Sequence, residues 1–112
     1  MKVAAINITD KSREVLEAMK EQVILGLAAV GQEAEGYAKE GCPVDTGRLR
    51  NSITNQVEEG EMAVYIGTNV EYAPKVEYED REHKTGGAHF LRNAVSDHTD
   101  HFKTIIEAAL KN

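Results

Sequence analysis

Tryptophan is absent from this chain, and aromatic residues make up only 5% of it. A core built on large rings is therefore excluded, and Val, Ile, Leu and Ala must fill the interior. Cysteine occurs once, as Cys42. No disulfide can form within the chain, and a reducing compartment is the simplest setting. Proline occurs twice, at Pro43 and Pro74, so each marks an element boundary rather than a disordered tract. No apolar run approaches the ~20 residues a membrane-spanning helix needs. The opening Met1–Ala5 turns polar at Asn7, Thr9 and Asp10, too early for the apolar segment of a secretory signal. Positive charge is also scarce: 13 Lys and Arg stand against 19 Asp and Glu, a net charge of −6. Nucleic-acid affinity depends on Lys and Arg neutralising phosphates, so neither a DNA-wrapping surface nor sequence-specific nucleic-acid binding is expected. A channel that DNA merely passes through has no such need.

What is present suits one domain, 1–112, with a modest core. The clearest local signals lie between Gly41 and Thr68. Pro43 stops any helix arriving from upstream and disfavours helical backbone at Cys42. Asp45 and Thr46 are helix N-cap types, and Gly47 permits a tight turn. Arg48 to Ser52 then reads as one or two helical turns, with Leu49 and Ile53 on one side. From Ile53 the texture becomes β-branched. The spacing predicts strands over Ser52–Glu58 and Met62–Thr68 around the polar turn Glu58-Glu59-Gly60-Glu61.

Upstream, Val3, Ala5, Ile6 and Ile8 suit a short first strand, with Thr9 or Asp10 as the following helix cap. Leu16, Met19, Val23, Leu27, Val30, Ala34 and Tyr37 then recur every three or four residues, opposite Glu17, Glu21, Glu33, Glu35 and Lys39. This predicts one helix from Lys11 to about Lys39, roughly 45 Å long at 1.5 Å per residue. Gly26, Gly31 and Gly36 interrupt it, as a tolerated bend or as places where a neighbour packs close; the bend is the expectation. Downstream, a short helix is expected from Glu71–Pro74 to Tyr78, with Tyr72 and Val76 on one face. Asp80–Ala88 reads as a polar, Gly-containing loop. A last helix is expected from His89-Phe90-Leu91 through His98, Phe102 and Ile106. The class is α+β: a long N-terminal helix and a C-terminal helix on a small antiparallel sheet built around a hairpin.

Three constellations could carry chemistry, and each has a plainer reading. Asp45-Thr46-Gly47 spells the triplet around the catalytic Asp of aspartic proteases, which would require a homodimer sharing two carboxylates. A helix-rich first third is foreign to the mainly β retroviral enzymes, and an N-cap turn accounts for the triplet. His98 and His101, three apart with Asp97 and Asp100 beside them, could offer two metal ligands on one helix face, but no third is compellingly placed. Cys42 has no neighbouring base in sequence to activate it and reads as a small semi-buried residue. No catalytic residue, cofactor or metal is expected.

Pro43-Val44-Asp45-Thr46-Gly47-Arg48-Leu49-Arg50-Asn51-Ser52-Ile53 resembles the signature of a family of small tailed-phage proteins, typified by gene product ten of phage Hong Kong ninety-seven. Val64-Tyr65-Ile66-Gly67-Thr68, then Tyr72-Ala73-Pro74-Lys75-Val76-Glu77-Tyr78, then His89-Phe90-Leu91-Arg92-Asn93-Ala94 resemble further family elements in the same order. The chain departs from the pattern at Glu79, where glycine is usual, and at Ala88-His89 and Asn93, where prolines are common. The resemblance implies a non-enzymatic virion or prophage component acting in tail completion or head–tail joining. It also implies a tail-terminator-like fold and a homo-oligomeric ring, commonly of six, beside connector or tail-tube proteins. Pro43, Asp45, Thr46, Gly47, Leu49, Ser52, Ile53, Gly67, Tyr72, Ala73, Glu77, Phe90 and Leu91 are the motif positions. Tyr72, Glu77 and Arg92 are the candidate subunit contacts, with Tyr72 and Glu77 read as exposed polar groups available for a structural hydrogen bond or such a contact. The expected location is the virion tail or neck, and the host cytoplasm during assembly. Small intracellular binding modules, dimeric or not, are the alternative class.

Overall fold

A computed structural model describes residues 1–8, 12–43, 47–78 and 89–111. Its elements run β1 (Lys2–Asn7), α1 (Arg13–Ala18), α2 (Lys20–Gly41), α3 (Arg48–Ser52), β2 (Thr54–Glu58), β3 (Ala63–Gly67), α4 (Ala73–Tyr78), α5 (Phe90–Ser96) and α6 (Thr99–Leu110), with a 3-10 turn at Glu59–Glu61 joining β2 to β3. The fold is α+β, as the pattern predicts. The three strands form one antiparallel sheet in the order β1-β3-β2.

Alternation along the strands explains how the sheet sits. Val64 and Ile66 of β3 point inward and are fully buried. Their register partners, Val57 and Asn55 on β2 and Val3 on β1, are half-buried on the same side. Between Ala4 and Ile6 the β1–β3 register shifts, and Ala5 turns into the core at 5% exposure. This bulge lets one more small residue face inward than strict alternation allows. On the other side Lys2, Ala4, Thr54 and Gln56 are exposed. Tyr65 lies among them, its O–H donating to Glu61 at 3.1 Å and the Lys2 ammonium 4.4 Å from its ring centre.

The buried face packs on α2, whose Val23, Leu27, Val30, Ala34 and Ala38 have no exposed surface. Beside α2, and also against β1, lie α5 and α6, which contribute Phe90, Leu91, Phe102 and Ile106 to the same core. Each such large apolar side chain contributes about 1.5–3 kcal/mol when fully buried.

Three sequence expectations change. The long helix is two helices: α1 ends at Met19, whose backbone (φ −111°, ψ 29°) leaves the helical region, and α2 restarts at once. The start is capped by Ser12, whose hydroxyl accepts from the Val15 N–H at 3.2 Å. The earlier cap positions, Thr9 and Asp10, lie outside the described residues. Secondly, the glycines of α2 do not interrupt it, since the helix runs unbroken through all three. Two of them admit neighbours instead. A Cβ on Gly26 would sit 3.0 Å from the Ala109 Cβ, and one on Gly31 would sit 2.7 Å from the Asn55 Oδ1 and 2.8 Å from the Val64 Cγ2. Gly36 faces open space. Thirdly, the C-terminal helix is also two, divided at Asp97 and His98, where the His98 backbone (φ −130°) leaves the helix.

Candidate functional site

The motif residues gather at one end of α2. Gly41 ends the helix, and Cys42 and Pro43 turn inward. The Cys42 Sγ–H donates to the Pro43 carbonyl at 3.4 Å, and burial pushes the thiol up to about 11. The thiolate is the nucleophile of cysteine chemistry, so this group is held in its inert form. The Asp45-Thr46 pair lies outside the described residues. Gly47 begins α3 with φ +80°, a left-handed conformation that costs an L side chain about 1–2 kcal/mol. From there Leu49 and Ile53 enter the core at 4% and 1% exposure.

A small polar network ties α3 to the end of β3. The Ser52 hydroxyl lies 2.6 Å from the Leu49 carbonyl and shares a hydrogen bond with the Thr68 hydroxyl. The Thr68 Oγ1 also accepts from the Val70 N–H at 3.1 Å, and its backbone N–H donates to the Met1 carbonyl at 3.0 Å. At Gly67 the chain crosses β1 so closely that a Cβ would lie 2.3 Å from the Met1 carbonyl oxygen. A glycine is therefore required there by contact, not by its own backbone angle.

Glu77 is the most consequential residue of the group. The sequence reading puts it at the surface, but it is 1% exposed. Its Oε1 accepts from the Leu91 N–H at 2.8 Å and its Oε2 from the Arg92 N–H at 3.3 Å. Its backbone carbonyl accepts from the His89 N–H at 2.7 Å. One residue of α4 thus satisfies two of the free donors at the start of α5, the task a local cap usually performs. The need is evident at His89, which has φ +62° and offers no side-chain cap of its own. Its Nδ1 is buried without a hydrogen bond and lies 3.9 Å from the Glu77 Oε2. Buried carboxylates are costly unless paired or hydrogen-bonded, and amide donors at a helix start are one such environment. This burial removes Glu77 from the surface of the single chain. The spacing of "YAPKVEY" could not reveal it, because the residues it caps lie fourteen and fifteen positions downstream.

Of the other expected contacts, Arg92 is exposed and Tyr72 is half-buried. The Arg48 guanidinium spans Glu71 in two hydrogen bonds, 3.3 and 3.0 Å, and lies 5.4 Å from the Tyr72 ring centre. Glu71 is held below the usual carboxylate range, first by its own backbone N–H and then by Arg48. His98 and His101, the pair that could have offered two metal ligands, do not converge. His98 stacks on the Tyr37 ring with centroids 3.5 Å apart, and the His101 Nε2 pairs with Glu33. Among the described residues no cluster of three His, Cys, Asp or Glu could hold a metal ion. No helix among the described residues is long and apolar enough to cross a membrane.

The site is thus a set of inward-turned joints binding helix, hairpin and C-terminal helices. The chain belongs to a family of phage tail proteins: the family model described as "Bacteriophage HK97-gp10, putative tail-component" matches residues 2–78, well over half of it. The match takes in the sheet, α2, the Gly47 turn and Glu77. It stops before His89–Ala94, the fourth resembling stretch, which the structure nonetheless ties to Glu77. No curated protein and no solved structure matches the chain. The family assigns the protein to the virion as a tail component.

Proposed function

We propose that this tail component completes the tail and joins it to the head, acting as a ring of identical subunits, six in the assembled particle. The observation that carries the reading is the sheet, which packs one face on α2 and leaves the other face exposed. β1 and β2 are both outer strands, so backbone groups stand available on two sides. Such edges are natural places for one chain to pair with another. A ring needs two different surfaces that meet and close, and opposite sheet edges provide them. The charge of −6 fits a wall that DNA passes without being held. Connector and tail-tube proteins are the neighbours on either side, with Tyr72 and Arg92 as contact residues. The protein is structural and needs no cofactor.

The test is mass by light scattering across protein concentration, with negative-stain images of the largest species. A phage lacking the gene is examined in parallel. Uniform closed rings, and filled heads separate from tails in the deletion, are expected. A clean dimer together with normally joined deletion particles would point to a binding module and sink the reading.

A further inference from the structure

At the end of α2 away from the motif lies an apolar groove of about 850 Å³ between β1, α1 and α6. Ile8, Val15, Met19 and Leu110 help to line it, and Lys103, Glu107 and Lys111, four residues apart along α6 and its C-cap, stand at its rim. Val15 is 48% exposed although apolar. Lys103 and Lys111 are exposed, and among the described residues neither is in an ion pair. With Glu107 between them the rim holds two cations to one carboxylate, and this positive excess helps to choose the groove's occupant.

Among the described residues two large apolar side chains elsewhere on the chain stand in solvent: Leu25 at 70% and Tyr78 at 68% exposure. Their neighbours separate them. Tyr78 follows Lys75 by three positions on α4, a cation of the same sign as the rim. Leu25 follows Glu21 by four positions on α2, so the two share a helix face. Glu21 is exposed and has no partner among the described residues. Ala29, also exposed, extends the same row. Glu21, Leu25 and Ala29 thus form a ridge with an acidic head and a small tail, the form in which an amphipathic helix fills a groove.

We infer that the Glu21–Leu25–Ala29 ridge of α2 seats in the β1–α1–α6 groove of a second copy of this chain, with Glu21 facing Lys103 and Lys111. Ridge and groove are different surfaces, so the contact is heterologous and propagates from copy to copy. The inference rests on the ring reading and names one of the contacts that would close the ring.

A photo-reactive phenylalanine analogue placed at Leu25 tests it, in the purified chain at high concentration and in particles. Cross-links to Val15, Met19 or Leu110 of another copy are expected. Leu25→Asp, confirmed as folded by circular dichroism, should weaken association at least tenfold. Glu21→Lys should weaken it too, and combining it with Lys103→Glu and Lys111→Glu should restore it. Cross-links elsewhere, rings that survive Leu25→Asp unchanged, or a charge swap that fails to restore association would each overturn the contact while leaving the ring reading intact. Absence of any intermolecular cross-link in solution and in particles, with no rings seen, would overturn both.

Discussion

The two ends of α2 differ in how they treat polar groups and apolar surface. At its C-terminal end Cys42 is fully buried, Glu77 caps a distant helix, and Ser52, Thr68 and Val70 share hydrogen bonds. At its N-terminal end α1 buries a single residue, Leu16, and Val15 stays half in water beside an open groove. The closed end coincides with the family signature. That stretch therefore looks inward: its glycine, serine and glutamate make the joints of the fold. The open end carries exposed apolar surface and, among the described residues, lysines outside any ion pair, the features on which the proposed contact between copies rests. A motif in a structural protein need not lie where the protein touches others.

The contrast can be broken most directly at Glu77. Glu77→Ala leaves the Leu91 and Arg92 N–H groups without their acceptor in a buried site, and a cost of about 3 kcal/mol is expected by urea denaturation. Glu77→Gln keeps one acceptor oxygen and should lose less than half of that. If both are neutral, the closed end is not closed by this residue. Midway along the helix, Gly31→Ala drives a methyl group against Asn55 and Val64 and should cost about 1–2 kcal/mol. Gly36→Ala meets nothing within 4 Å and should instead stabilise by about 0.5–1 kcal/mol, the ordinary helix preference of alanine over glycine. Equal effects at the two glycines, read from thermal midpoints, would refute close packing at Gly31. At the open end, Val15→Ser should change monomer stability by less than about 0.5 kcal/mol, as is usual for surface positions. The last effect is absent at neutral pH and appears only in alkali. The folded Cys42 thiol titrates at about 11, above its ordinary 9.0, so folding retains a proton that the unfolded chain releases. Its stabilising contribution is complete below pH ~9 and is lost as pH rises towards ~11. Cys42→Ser should flatten that part of the pH–stability curve.

Much of the architecture was legible in the sequence because it rests on periodicity. The stripe from Leu16 to Tyr37 marks the buried face of the helices, and alternation at Val64 and Ile66 marks the inner face of the sheet. The breaks at Met19 and at Asp97–His98 were not legible, since neither falls at a proline or glycine and the apolar spacing continues across both. The glycines misled for a related reason. Composition flags them as interruptions, whereas Gly26 and Gly31 are small because α6 and Asn55 come close, which only tertiary packing decides. Glu77 misled most: a glutamate in a short polar stretch is ordinarily exposed, and its partners are backbone amides that no sequence displays. The Asp45-Thr46 cap and the Asp80–Ala88 loop lie outside the described residues. The groove left no trace, because it forms where three separate elements meet.

The burial of Cys42 has a practical side. Its sulfur has no exposed surface and stays protonated at neutral pH, so the native chain should be almost silent towards maleimides and disulfide-exchange reagents. Assemblies of this protein would then owe nothing to adventitious oxidation. A single cysteine introduced on the surface becomes a clean address for a fluorophore or spin label, with the natural sequence otherwise intact.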